Sequence, residues 1–123
     1  MMKRLIPSTL FIIALTLLAA CGNDQRAKGL VKDFMKNDMA VADYDVVTWS
    51  ALDSTFRIND STLSAMRQRA VADKLVKQQP AYTNATNKLL RITLKYAVNK
   101  KDTQQTTFYL DDKVTGIVGV KQN

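Results

Sequence analysis

Nucleophilic catalysis by serine or cysteine needs a base that titrates near neutrality, almost always histidine, and this chain of 123 residues contains none. Lysine could serve as the base for a serine, and Ser50, Ser54, Ser61 and Ser64 are present, but no spacing selects one of them. Zinc, copper and iron sites draw on His and Cys; with no His and a single Cys, Cys21, the sequence predicts no transition-metal centre and no cofactor. All 11 acidic residues are Asp. A calcium loop would space them alternately around a Gly, and no segment does so. Paired carboxylates could hydrolyse a glycoside. The close pairs are Asp43 with Asp45 and Asp111 with Asp112, and both stand where Asp ordinarily turns or caps a chain through its own backbone. Gly29, Gly116 and Gly119 are too dispersed to cradle a phosphate. The residue types therefore point away from an enzyme.

The N-terminus supplies the clearest motif. Met1-Met2-Lys3-Arg4 is a basic start, Leu5 to Leu18 is apolar apart from Pro7, Ser8, Thr9 and Thr16, and Leu18-Ala19-Ala20 closes the run with small residues. That is the layout of a secretory signal peptide, and its apolar stretch is shorter than the ~20 residues of a membrane span. Leu18-Ala19-Ala20-Cys21 resembles the lipobox of bacterial lipoproteins. The resemblance implies cleavage before Cys21, so that 1–20 is removed, and acylation of the new N-terminal cysteine on its sulfur and its amine. It also implies attachment to the cell envelope. Each buried methylene contributes about 0.8 kcal/mol, so several acyl chains anchor firmly where one does not. Lipidation also accounts for an unpaired cysteine in an exported chain. In proteobacterial lipoproteins an Asp directly after the Cys favours inner-membrane retention; Gly22 holds that position here, which implies the outer membrane, on its periplasmic or its surface face.

With Lys3 and Arg4 in the leader, the remainder carries 16 basic residues against 11 acidic ones. The basic residues are scattered from Arg26 to Lys121 rather than gathered in one run, which argues against nucleic acid as a partner.

Residues 21–123 are enough for one small domain and no more. From Asp24 as a predicted N-cap, Ala27, Leu30, Val31, Phe34 and Met35 recur at helical spacing, giving an amphipathic helix that ends near Asn37. Val46 to Leu52 reads as a first strand. Asp60-Ser61 starts a second helix whose stripe of Leu63, Met66, Ala70, Val71 and Leu75 runs to Gln78-Gln79-Pro80, with Arg67 and Lys74 at its edge. Leu90, Ile92, Leu94, Tyr96 and Val98 alternate with Arg91, Thr93, Lys95 and Ala97 in a half-buried antiparallel strand. Asn99 to Gln105 is expected to turn the chain, Thr106 to Leu110 to return, Asp111-Asp112 to turn again, and Val114, Val118 and Val120 to line the last strand. The expected fold is α+β: after the signal-peptide helix come helix, strand, helix and a three-strand meander, with both helices on one sheet face. This layout looks cystatin-like or nuclear-transport-factor-like, which implies nothing about function. Together the lipobox, the Ala27 to Lys36 helix, Asp43-Tyr44-Asp45-Val46-Val47, Ala51 to Thr55 and Phe108 to Asp112 resemble small lipoproteins of Bacteroidetes. That resemblance implies an envelope location and brings no catalytic residue with it.

Two further features bear on function. Asp53-Ser54-Thr55 and Asp60-Ser61-Thr62 look like the O-glycosylation acceptor of exported Bacteroidetes proteins, making Ser54 and Ser61 candidate acceptors, although Asp and Ser also cap and turn chains. Arg91, Thr93 and Lys95 should share a sheet face with Thr107 and Tyr109. If Trp49 emerges there too, Trp49, Arg91, Lys95 and Tyr109 form an aromatic and basic surface for an anionic or sugar-like ligand; otherwise the face is merely solvated. The leading expectation is a non-catalytic envelope protein, membrane-attached through Cys21, that binds or scaffolds an envelope protein or glycan. Alternatives are an enzyme using Asp, Lys or Tyr, and an inhibitor or immunity-type partner of a secreted enzyme.

Overall fold

The computed structural model describes residues 22–39, 41 and 43–123. The predicted leader 1–20 and Cys21 lie outside the described residues. The described part is α+β, with two helices and a five-stranded antiparallel sheet.

Helix α1 covers residues 22–37. Its apolar stripe of Ala27, Val31, Phe34 and Met35 is almost wholly shielded from solvent, as a 3.6-residue period against a sheet requires. Residues 22 and 23 are already helical, so Asp24 is not the cap; it pairs with Lys28 at 3.1 Å. Strand β1 is Tyr44–Trp49 and the three-residue β2 is Asp53–Thr55. The single strand expected over Val46 to Leu52 is thus two short ones, laid end to end along one neighbour. The break falls at Ser50, whose N–H donates to the Thr93 carbonyl while its hydroxyl accepts from the Thr93 N–H.

Helix α2 is Asp60–Ala72, capped by the Asn59 side chain, which accepts from the Thr62 N–H at 2.8 Å. It stops eight residues short of Pro80. Lys74 takes a left-handed conformation (φ 59°), the Leu75 N–H reaches the Ala70 carbonyl and the Lys74 N–H the Val71 carbonyl. These two bonds make a Schellman ending, and the accompanying apolar contact keeps Leu75 and Val76 in the core without helix. The chain from 77 to 83 is pinned by buried Asp38: its carbonyl accepts from the Lys77 N–H, and its carboxylate from the Ala81 N–H and the Lys77 ammonium.

Strands β3 (Leu89–Val98), β4 (Asp102–Asp111) and β5 (Ile117–Gln122) form an antiparallel meander, but β5 begins only at Ile117, so Val114, expected to line the last strand, lies in the turn before it. The sheet order is β1-β3-β4-β5, with β2 beside β1 on β3. The β3–β4 turn is tighter than expected: Asn99 and Lys100 are both left-handed and Lys101 N–H closes onto the Val98 carbonyl, so β4 begins at Asp102.

Ile92, Leu94, Tyr96, Phe108, Leu110 and Val120 make the core face on which α1 lies. The expectation that α2 shares that face needs correction. Leu63 and Met66 cluster with Leu89 and Tyr109, which alternate to the opposite face, whereas Ala70 belongs to the main core. Helix α2 therefore straddles the β5 side of the sheet. Gly119 allows this, since a β-carbon there would stand 3.0 Å from Leu63 Cδ1 and 3.1 Å from Met66 Sδ.

Candidate functional site

The residues expected to make one ligand surface are divided between the two faces. Arg91, Lys95 and Tyr109 do share the face opposite the core, by the register Arg91↔Tyr109 and Lys95↔Gln105. Trp49 pairs with Leu94 and so lies on the core side, half-buried, with the Lys28 ammonium 5.7 Å from its ring centre. A β-bulge between Val46 and Thr48 causes this: one extra residue reverses which face every later side chain takes. Tyr109 is buried beneath α2, with 7% of its surface exposed. Arg91 spends its guanidinium on Asp53, at 2.7 and 3.2 Å. That hydrogen bond, with the carboxylate charge behind it, raises the Arg91 pKa and joins β2 to β3. Lys95 is exposed, next to Thr93 and Thr107, whose hydroxyls bond each other at 2.8 Å.

The candidate carboxylate pairs are separated by their surroundings. Asp111 is buried and accepts from the Thr115 N–H, the Thr115 hydroxyl and the Gly116 N–H at 2.6–3.0 Å. Burial alone would raise its pKa, but these bonds to the charged form outweigh it and hold the carboxyl below its ordinary value. Asp111 thereby organises the β4–β5 turn, in which Val114 is left-handed (φ 56°) yet buried. Asp112 is exposed. Asp43 and Asp45 are exposed beside the Asn99-Lys100 turn. Among the described residues no three carboxylates gather into a metal-binding group. Ser54 in β2 and Ser61 in the first turn of α2 are both exposed, and Ser50 is committed to the backbone.

The site that the structure does build was not read from the sequence. A groove of about 500 Å³ runs between α2 and β5, floored by Ile58, Met66, Ala70, Leu75 and Val120. Lys121 and the Arg69–Asp73 ion pair stand on its rim. Its lining is mainly apolar with charged groups at the rim, the composition that binding clefts share. Arg67 fixes the wall geometry. Its Nε–H donates to the Val118 carbonyl at 2.8 Å, a second guanidinium N–H reaches the Thr83 carbonyl, and its plane lies 4.6 Å from the ring centre of Tyr82. Tyr82 in turn stacks on Phe34 of α1. Arg67, expected at the edge of the helical stripe, thus ties α2 to β5 and to the loop beneath α1. No sequence signal marked the groove, because the apolar stripe of α2 reads as core throughout, whereas within the helix the structure buries only Leu63 and Ala70.

Searches against protein-family models, curated proteins and solved structures find no match to this chain. No helix among the described residues is long and apolar enough to cross a membrane.

Proposed function

We propose that the chain is a lipid-anchored cell-envelope protein that binds or scaffolds another envelope component without catalysing a reaction. The observation that carries the anchor is Leu18-Ala19-Ala20-Cys21, behind a basic start and an apolar run and holding the sole cysteine of the chain. Acylation at Cys21 attaches residues 21–123, as one small domain, to the outer membrane, the destination that Gly22 favours by resemblance to proteobacterial lipoproteins. The likeness to small Bacteroidetes lipoproteins points the same way. Binding is supported by the groove between α2 and β5, an apolar floor inside a charged rim. The groove replaces the sheet face as the binding surface, because Trp49 and Tyr109 are not presented together. Ser54 and Ser61, both exposed, are the proposed glycan acceptors.

Growth with radiolabelled palmitate tests the anchor. The protein should take up label and partition with membranes, and Cys21→Ala should lose both. An unlabelled wild-type protein would overturn the proposal. Intact mass of the native protein should show added hexose that Ser54→Ala and Ser61→Ala remove.

A further inference from the structure

The groove beside α2 is sealed at its floor, where Ala70 and Val120 are 3% and 1% exposed, and open along its walls, where Ile58, Met66 and Leu75 are half-buried. Such walls suit a thin apolar chain, which asks for no hydrogen-bond partner. Two polar groups adjoin them without a partner of their own. Tyr109 lines the groove and is 7% exposed, yet its hydroxyl makes no hydrogen bond among the described residues. A buried tyrosine ordinarily gives its hydroxyl a partner, as Tyr96 does with Thr106 at 3.0 Å. The sealed side-chain atom left without one is the Tyr82 hydroxyl, so that of Tyr109 is open to an incoming group. Lys121 is the second. Tyr109 pairs with Gly119, and Lys121 stands two residues further along β5, so both side chains leave the same sheet face. Lys121 is exposed and belongs to no ion pair among the described residues. The carboxylates nearby are already paired: Asp73 with Arg69 on the rim, and Asp53 with Arg91, the cross-strand neighbour of Tyr109. One uncompensated positive charge therefore remains beside an apolar wall.

We propose that the groove binds a fatty acid, its alkyl chain along Ile58, Met66 and Leu75 and its carboxylate held by the Lys121 ammonium and the Tyr109 hydroxyl. The hydroxyl donates to a carboxylate oxygen, a charge-assisted bond shorter and stronger than one between neutral groups. A single unpaired cation matches a monoanion. A phosphate monoester brings about 1.5 to 2 negative charges at pH 7 and leaves part of that charge uncompensated. A neutral alcohol of the same chain leaves Lys121 unmatched. The acyl chains proposed at Cys21 are not the occupant: Lys28 of α1 stands over Trp49 of β1, the far edge of the sheet from β5, so the anchor departs from the opposite side. The occupant is a free acid.

This site rests on the binding role proposed above and names its ligand class. For the test, the cell fraction that holds the native protein is washed free of nucleotides, so that no acyl transfer occurs, and incubated with dodecanoic acid carrying a diazirine in its chain. After irradiation the modified residues are mapped by mass spectrometry. The label should fall on Ile58, Met66 or Leu75, and the matching diazirine alcohol should label them about tenfold less. Lys121→Gln should lower labelling by the acid about tenfold and leave that by the alcohol unchanged, and Tyr109→Phe should lower it about fivefold. Ala65→Trp, which fills the groove from an exposed helix position, should remove the label with Tm unchanged. Acid label confined to residues outside the groove, acid labelling unaltered in Lys121→Gln, or dodecyl phosphate displacing the probe better than dodecanoate would each overturn the proposal. If the alcohol labels the groove as strongly as the acid, the fatty acid is refuted and a binding groove stands; if neither probe enters, the groove falls as a binding site as well. Palmitate labelling in growing cells reads the anchor independently of all these outcomes.

Discussion

At the scale of single residues, the instructive positions are those whose backbone or charge runs against their type. Lys74 holds a left-handed conformation at the end of α2, a cost of roughly 1–2 kcal/mol for a side chain with a β-carbon. Glycine removes that cost but loses more entropy on folding. Lys74→Gly is expected to stabilise by about 0.5–1 kcal/mol, seen as a rise of roughly 2–8 °C in Tm. Asp111 sets a pH dependence. Its carboxyl is held below the ordinary value in the folded state, so the unfolded chain takes up the proton first as pH falls. The stabilisation is complete above the unfolded value of about 3.9 and is lost as pH drops through the depressed folded value. Acid unfolding followed by circular dichroism should therefore steepen below about pH 4 in the wild type and less so in Asp111→Asn, which is also expected to be about 1–3 kcal/mol less stable at neutral pH. Asp111 could be read from sequence as a turn residue, but not as a buried one with three donors, because its donors lie in the loop that it folds.

At the scale of elements, legibility followed the length of unbroken pattern. From Leu90 to Val98 every second residue of β3 is a large apolar one, so its core face was readable. Strand β2 has three residues and exists because Asp53, Ser54 and Thr55 pair with Arg91, Leu90 and Leu89; no local pattern encodes a partner 34 positions or more away. The end of α2 was misread because Leu75 and Val76 are as apolar as a continuing helix would need, yet reach the core by a Schellman turn. The face of Trp49 was hidden by a bulge that leaves no mark in a sequence without Gly or Pro at that point. How α2 straddles the sheet yields a prediction at this scale. Gly119→Ala is expected to change stability little, since the entropy recovered, about 0.5–1 kcal/mol, offsets displacement of the flexible ends of Leu63 and Met66. Gly119→Val should cost about 1–3 kcal/mol by overpacking. Chemical denaturation midpoints of the two variants, compared at equal m-values, measure the difference.

At the scale of the whole molecule, one core carries nearly everything. Phe108 is fully buried and meets Phe34 edge-on at a ring separation of 6.4 Å, and Phe34 stacks on Tyr82 at 5.7 Å. Sheet, first helix and the loop after the second helix are joined through these three rings. Phe108→Ala is expected to cost about 3–5 kcal/mol, a large share of the roughly 5–15 kcal/mol that holds a domain of this size. Because the elements share that column, far-ultraviolet circular dichroism and Trp49 fluorescence should report a single coincident transition, at a lower temperature in the variant. Separate transitions would show that β1 and the central sheet melt independently.

Helix α1 is already wound at residue 22, the neighbour of Cys21. Under the proposed acylation of that cysteine the body would have no slack leash, and its reach into the aqueous space would be set by its own girth. A domain of about 100 residues has a radius of gyration near 13 Å, so a body anchored in this way would keep every part of itself within a few nanometres of the lipid headgroups. On that proposal a docking partner would come to the bilayer and meet the domain with rotation already restricted, which lowers the orientational entropy lost on association.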